Sequence, residues 1–356
     1  MRLLFVNETL DYASATSYTM DLALALRARG DEVRLCTCGG DLTGAFRDRG
    51  IRTYRVKHNL LSFRKLIDFL REFDPQLIHV QSIDSLRLGQ RIAARLRKPY
   101  VVTAHRRPDE ESDPIADRSF RGVIALNELI REALVNDQGI PKSRIRVIRR
   151  GIYFPRPKGD EVDESNRIPV VGSIGRLVPD KGHHFLIEAA RILVDRGVDA
   201  HYAIVGEGAE ESRLRALVRN LDLALHVTFS PHLPRRSELF ALFDIIALPV
   251  LSTGVAVTAL EAMAMGKPLI ASTVGEHLHI IQDGETGSLV PVGDAVALAD
   301  GLERLIKDPD LRRKLSAAGR RWVEKECALE PMVVETRDFY AAVLEGIEAD
   351  LKLAAR

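Results

Sequence analysis

VVGSIGRLVPDKGHHFLIEAARILVDRGVDAHYAIVG, residues 170–206, holds one complete repeat of the pattern that sets the fold. VVGSIG is a short apolar run closed by glycine, with the length and composition of a buried strand. From His183 to Arg196 apolar residues return every three or four positions, as on one face of a helix, and Gly197 stops it. HYAIVG (201–206) is a second apolar run. Strand, helix and strand at this spacing mean parallel strands joined by a right-handed crossover.

The same rhythm runs outward in both directions. Downstream lie HVTFS (226–230), IIALPV (245–250), PLIAS (268–272) and GSLVPV (287–292), alternating with helical stretches such as AVTALEAMAMG (256–266). Upstream, LLFVN (3–7), EVRLCTC (32–38), QLIHVQS (76–82), YVVTAH (100–105), GVIALN (122–127) and RIRVI (144–148) form an earlier series. SYTMDLALALRAR (17–29) reads as a helix stopped by Gly30. The two series are separated by PRPKGDEVDESNR (155–167), which is polar, holds two prolines and lacks periodicity. The fold class is therefore α/β, two successive Rossmann-like domains of mostly parallel sheet. The expected bounds are 1–160 and 161–335, with a last helix at 336–356 crossing back to the first domain. In open sheets of this kind ligands bind outside the carboxyl ends of the strands, which in a two-domain version is the cleft between the halves.

Composition agrees. The chain has 356 residues, 46% hydrophobic and 28% charged, more than one ordinary core holds and too apolar for disorder. No apolar run approaches the ~18 residues of a membrane span. The opening MRLLFVNETLDYAS has too short an apolar stretch for a signal peptide, so a cytoplasmic location is expected. Cys36, Cys38 and Cys327 are too few for a disulfide framework and give no zinc spacing. Residues 1–165 carry 29 Lys+Arg against 23 Asp+Glu, whereas the remainder carries 22 against 27. A basic first half suits an anionic partner; chance variation in surface charge gives the same count. Aromatics are 6% of the chain with no basic stripe between them, which speaks against nucleic-acid binding.

Candidate chemistry is concentrated in the second half. In the loop of residues 175–182, Arg176 and Lys181 stand five apart between two glycines, where the two cations can converge on a diphosphate. A surface loop tied by ion pairs has the same residues. In IALPVLSTGVAVTALEAMAMGKP (246–268), Gly254 is placed where a helix begins, so backbone N–H groups there would face an anion. Glu261 follows in an apolar segment, where a carboxylate is either paired or bound to a hydroxyl. VGEGAEE (205–211) starts like a dinucleotide fingerprint but lacks its third glycine.

Taken together, Gly175-Arg176-Leu177 with Lys181-Gly182, then Glu261-Ala262-Met263-Ala264 with Gly266 and Pro268, then Ala271-Ser272 and Val274-Gly275 resemble the donor half of retaining glycosyltransferases. The similarity is to family four of the GT-B fold (glycosyl transferases group 1). LALRARGDEV, DPQLIHVQ and GIPKSRIRVIRRGI fill the expected first-domain places in order. The resemblance implies a retaining, metal-independent glycosyltransferase without a cofactor. It would move a sugar from a nucleoside diphosphate sugar of UDP or GDP type to a glycan, lipid or small-molecule acceptor, as in making a surface polysaccharide or lipopolysaccharide. Arg176 and Lys181 would hold the diphosphate, and Glu261 would accept from ribose hydroxyls. Thr253, Gly254 and Val255 would meet the phosphate or sugar, Gly175 and the backbone near Gly206 would meet the nucleotide, and His105 would lie beside the donor sugar and leaving phosphate. On the acceptor or anion side stand Ser14, Arg149 and Arg150. The one Asp-x-Asp, Asp308-Pro309-Asp310, falls late between two helical stretches and reads as a surface turn.

The chain departs from the family at several places. Thr253 stands where the first glutamate of the Glu-x7-Glu motif is expected, keeping one hydrogen-bonding group but not the charge. Ala13-Ser14-Ala15 replace a glycine pair, Arg150-Gly151-Ile152-Tyr153 replace Asn-Gly-x-Asp, and Gly275-Glu276-His277-Leu278-His279 replace Gly-Gly-x-x-Glu. These keep two alternatives open, a nucleotide-sugar-binding scaffold without catalysis and a sugar-nucleotide epimerase. The arginines 144, 146, 149 and 150 read as a basic cluster facing an anionic acceptor or membrane. LLSFRKLIDFLREF (60–73) is amphipathic, suiting either a peripheral membrane contact or a helix packed on the sheet.

Overall fold

The computed structural model describes residues 1–11, 14–57, 59–108, 114–152, 167–231, 236–252 and 255–354. It divides into two compact units, Met1–Gly151 with Leu329–Arg356, and Ile152–Ala328.

The first unit is built on strands β1 (Arg2–Val6), β2 (Glu32–Thr37), β3 (Arg52–Arg55), β4 (Leu77–Val80), β5 (Tyr100–Ala104), β6 (Phe120–Ala125) and β7 (Ile145–Val147). Their order is β3-β2-β1-β4-β5-β6-β7, and each neighbouring pair is parallel. The order reverses between β1 and β4, so the crevice of this sheet opens there at the carboxyl ends. Helices α1 (Ser14–Ala28), α2 (Thr43–Asp48), α3 (Leu60–Phe73), α4 (Leu86–Leu96) and α5 (Glu128–Asn136) provide the crossovers. Strands β4 and β5 are buried at every position, as a parallel strand with both faces covered must be. β3, with sequence RTYR, has no counterpart among the apolar runs, because an edge strand carrying two arginines offers none. In α3, Leu66, Ile67, Leu70 and Phe73 are buried, so this helix packs its apolar face inward, while Leu60 and Leu61 at its start stay exposed.

The second unit repeats the plan with β8 (Val170–Ile174), β9 (His201–Val205), β10 (Val227–Ser230), β11 (Ile245–Leu248), β12 (Leu269–Ser272) and β13 (Ser288–Val290). The order is β10-β9-β8-β11-β12-β13, again parallel throughout, with the reversal between β8 and β11. Helices α6 (His183–Asp195), α7 (Glu211–Asn220), α8 (Arg236–Ala241), α9 (Val257–Ala264), α10 (His277–Ile280), α11 (Ala295–Lys307) and α12 (Pro309–Glu326) surround it. Asp308 caps α12 by accepting from Leu311 N at 2.8 Å, and Asp310 pairs with Arg313, so both carboxylates of the Asp-x-Asp serve the helix start.

The last helix, α13 (Leu329–Ala354), belongs to the first unit. Its Phe339 lies over Gly122 of β6, where a Cβ would come within 2.7 Å of the ring, so only glycine lets the helix approach this closely. Tyr340 is fully buried and hydrogen-bonded to His79 of β4. Arg337 donates to Asp31 at 3.0 Å, and Arg29 pairs with Glu330. The unit boundaries fall earlier than 160 and 336. Ile152 already donates to Cys327 O at 2.8 Å and bridges Ala328, which ties it to the end of α12 and so to the second unit. Most of the polar stretch 155–167 expected as the linker lies outside the described residues. Among the described residues no helix is long and apolar enough to cross a membrane.

Candidate functional site

At the carboxyl ends of β8, β9 and β11 three loops are locked together by close backbone contacts. Gly182 adopts φ 61°, and a Cβ on it would meet Pro249 O at 1.9 Å. It ends the 3-10 turn Pro179–Lys181 and starts α6, with its N–H donating to Pro179 O. Gly206, at φ 152°, lies as close to Gly175 O. Leu251 N donates to Asp180 O at 2.8 Å, and Gly175 N to Val205 O at 3.0 Å. Gly182 and Gly206, both singled out in the sequence, are thus places where one backbone touches another.

These contacts hold Arg176 and Lys181 at the mouth of the crevice between β8 and β11. The Lys181 stem runs over Gly175, with Cγ and Cδ 3.7 Å from where a Cβ would stand. Burial holds the Lys181 ammonium below its ordinary pKa, and the nearby positive charge of Arg176 lowers it further. Two cations close enough to repel one another, one of them partly desolvated, make a place where an anion is stabilised. His183 and His277 complete the surroundings. His183 Nε2–H donates to Arg176 O at 3.3 Å, so its Nδ1 accepts from Ser173 Oγ at 3.1 Å. His277 Nδ1–H donates to Ser272 O at 3.0 Å. Burial lowers both pKa values to about 4, and the charge of Lys181 adds to the effect, so both rings are neutral at pH 7. Neither histidine nor Ser173 stood out in the sequence, although His183 directly follows the Lys-Gly pair.

Glu261 lies one turn into α9, half-buried between the buried Leu260 and Ala262. This helix begins at Val257, later than Gly254, with Ala256 as its cap residue and Val255 just before it. Thr253 and Gly254 lie outside the described residues.

In the first unit the crevice between β1 and β4 is lined by side chains. His105, just past β5, donates from Nε2 to Gln81 O at 2.9 Å, which leaves Nδ1 as a lone-pair acceptor in the neutral ring. Burial pushes its pKa down to about 3, helped by the charge of Arg150. Tyr18 stands edge-on to it, ring centroids 5.0 Å apart. Asn7, Thr19 and Gln81 are buried and linked, Asn7 Nδ2 donating to Thr19 Oγ1 at 3.2 Å and Thr19 Oγ1 lying 3.3 Å from Gln81 Oε1. No sequence pattern marks Gln81 or Tyr18 for this place.

The four arginines do not form one surface. Arg144, Arg146 and Arg149 are exposed, whereas Arg150 is 2% exposed and turned inward. Its guanidinium donates to Ser17 Oγ at 2.9 Å, sits 3.9 Å from Asp21 and faces the Tyr18 ring at 5.8 Å. A long cation can be buried only where such partners meet it, which separates it from the other three. Ser14 is the first residue of α1. Among the described residues no three His, Cys, Asp or Glu side chains stand together as a metal site, and Cys36 and Cys38 are free thiols whose pKa burial raises.

Comparison with known proteins agrees with this architecture. Residues 15–154 match the model of Glycosyltransferase Family 4, and residues 159–322 that of Glycosyl transferases group 1. Alpha-D-kanosaminyltransferase of Streptomyces kanamyceticus is 28% identical over 226 residues, 58% of each chain. The capsular polysaccharide biosynthesis glycosyltransferase CapM of Staphylococcus aureus is 26% identical over 242 residues, 64% of this chain and 63% of CapM. The matched stretch thus spans less than two thirds of either relative's length. Among solved structures, Anabaena Alr3699/HepE in complex with UDP and glucose superposes with a TM-score of 0.84 over 96% of this chain and 100% of its own, at 20% identity. Two parallel Rossmann-like sheets with this strand order, matched to glycosyltransferase models from residue 15 to residue 322, place the chain in the GT-B glycosyltransferases, family four in its first half and group 1 in its second.

Proposed function

We propose that the chain transfers a glycosyl group from a nucleoside diphosphate sugar of UDP or GDP type to a glycan, lipid or small-molecule acceptor, with retention at the anomeric carbon. The observation that carries this reading is the Arg176–Lys181 pair, held against its own repulsion at the strand ends of the second unit. When the bond from the anomeric carbon to the phosphate oxygen breaks, negative charge grows on the leaving diphosphate. Fixed cations stabilise that charge most where water is displaced. A bound diphosphate would restore the Lys181 ammonium to full strength, and two cations supply this stabilisation without requiring a metal ion. His183, by holding the Arg176 backbone, positions the guanidinium.

In the same reading Glu261 binds the ribose hydroxyls, backbone around Gly175 and Gly206 meets the nucleotide, and Thr253, Gly254 and Val255 face the phosphate or sugar. His105 lies beside the sugar and presents Nδ1 as a hydrogen-bond acceptor, while Ser14, Arg149 and Arg150 serve the acceptor side. The activities in the names of the two relatives support a sugar transfer of this kind. The setting proposed is cytoplasmic, with a peripheral contact on an anionic membrane through the exposed first turn of α3, where Leu60 and Leu61 precede Arg64 and Lys65. Equal sedimentation with neutral and anionic vesicles would end that part.

Thermal shift with UDP, GDP and ADP, then with their sugar conjugates, tests the central claim. A nucleotide at ~100 times its Kd raises stability by about 2.7 kcal/mol, and Arg176→Ala or Lys181→Ala should abolish the shift. Release of nucleotide from the sugar conjugate only when acceptor is present identifies transfer. Binding without release identifies a scaffold, and conversion of the donor without acceptor an epimerase.

A further inference from the structure

On the amino-terminal side of the second unit's sheet, away from Arg176 and Lys181, the structure holds a cavity of about 320 Å³. Its floor is the turn Gly266-Lys267-Pro268 between α9 and β12, and its wall is a stripe of α12. Arg312, Ser316 and Arg320 recur every fourth residue along that stripe, with Arg313 beside them, so one helix face presents three guanidinium groups to one space. The adjoining stripe of α12 carries Leu315, Gly319 and Val323 into the core, and Arg312 is buried beside them, which prevents the helix from rotating the arginines away.

The lining of this cavity is mostly cationic: Lys267, Arg312, Arg313 and Arg320 stand against one lining carboxylate, Asp244, while Asp310 and Glu324 pair with Arg313 and Arg320 from beside it. The Asp244 carboxylate is already neutralised by Arg167 and by Val170 N, which donates to it at 2.7 Å. Lys267 donates to Phe243 O at 2.8 Å, and Arg312 Nη1 to Leu305 O at 2.8 Å and Ile306 O at 3.0 Å, closing the end of α11. Arg320 Nε donates to Glu324 at 2.8 Å. These bonds fix the side chains, so a ligand would find the cations arranged before it arrives. Four cations converging on a pocket of small-molecule size, with no role in the donor site, call for an anion carrying several oxygens.

We infer that this cavity binds a phosphoryl group, at a second site distinct from the diphosphate site at Arg176 and Lys181. A tetrahedral dianion suits guanidinium forks on one wall and an ammonium on the floor. A soluble phosphorylated compound and a lipid phosphate headgroup share that chemistry, and the test separates them.

Calorimetric titration of the full chain with inorganic phosphate, in wild type, Arg313→Gln/Arg320→Gln and Arg176→Ala, reads the site directly. The double variant should bind phosphate roughly tenfold or more weakly at one site, since each lost charge-assisted bond is worth about that factor. Arg176→Ala should retain that site. Both arginines reach the surface and the substitutions keep hydrogen-bonding side chains, so unchanged thermal unfolding serves as the folding control. Sedimentation with phosphatidylglycerol vesicles but not phosphatidylcholine, lost in the double variant, assigns the group to a lipid. Phosphate binding without vesicle binding assigns it to a soluble compound. Equal phosphate affinity in wild type and the double variant, or no binding of phosphate by the wild type, overturns the inference.

Discussion

The two crevices of the molecule sit at equivalent places in two parallel sheets and are built by opposite means. In the second unit the loops touch backbone to backbone through glycines, and two cations, Arg176 and Lys181, stand over the strand ends of β8 beside the neutral His183 and His277. In the first unit the strand ends are filled by linked side chains, Asn7, Thr19, Gln81, Tyr18 and His105, with a buried Arg150 behind them. Backbone walls leave room for a ligand whose shape is constant, such as a diphosphate. Side-chain walls can be altered one residue at a time, which suits the varied acceptors proposed above for this half.

The largest effect is expected at Gly206. Gly206→Ala places a methyl group 1.9 Å from Gly175 O in a strained backbone region, and should cost about 3–5 kcal/mol in urea unfolding. A loss below about 1 kcal/mol would mean that the loops are not locked as described. In the first unit the corresponding test is Arg150→Met. Removing the buried charge should cost about 2 kcal/mol. It should also raise the His105 pKa from about 3, though not to 6.5, because burial remains the larger cause. An NMR titration in which His105 does not move would separate the two residues.

A third effect is shared by both units and differs in its range. His79, His183 and His277 are held neutral by burial, with pKa values near 3, 4 and 4 against an ordinary 6.5. Below pH 6.5 the unfolded chain takes up protons that the folded chain refuses. Stability therefore falls with pH, by about 1.4 kcal/mol per unit for each histidine. For His183 and His277 the fall ends near pH 4, and for His79 it continues to about pH 3. His183→Gln should flatten the slope between pH 6.5 and 4 and leave it unchanged below. The smallest effect is expected at Gly175→Ala. There a Cβ meets only the Lys181 stem at 3.7 Å and His183 Nε2 at 3.8 Å, so stability should change by less than about 0.5 kcal/mol. Unfolding as severe as that of Gly206→Ala would show that closeness of backbone is not what distinguishes the two glycines.

The sequence carried the fold almost completely, because parallel strands buried on both faces are nearly continuous apolar runs. Even the edge strands β7, β10 and β13 hold enough apolar residues to be read, so that twelve of the thirteen strands were found. β3 was not, since this edge strand reads RTYR, with an arginine at each end and no residue fully buried. The loop of Arg176, Lys181 and Gly182 was legible for a related reason, as glycine and cation types are dictated by backbone contact and charge. The first unit's polar network was not. Asn7, Gln81 and Tyr18 come from three distant stretches and have meaning only once β1, β4 and α1 are assembled. Arg150 was misread for the same reason: four arginines adjacent in sequence look like one patch, and only the fold shows that one of them faces the other way.

One connection has a consequence for how the protein is made. The first unit's sheet is complete by Val147, but α13, which covers Gly122, His79 and Asp31, follows the whole of the second unit. A ribosome adding roughly 5–20 residues per second needs about ten to forty seconds to reach the end of that helix from Gly151. Throughout that interval the first sheet waits with a polar and aromatic seam uncovered, while the second unit, continuous in the chain, is free to close. The domain begun first is therefore the last to be finished.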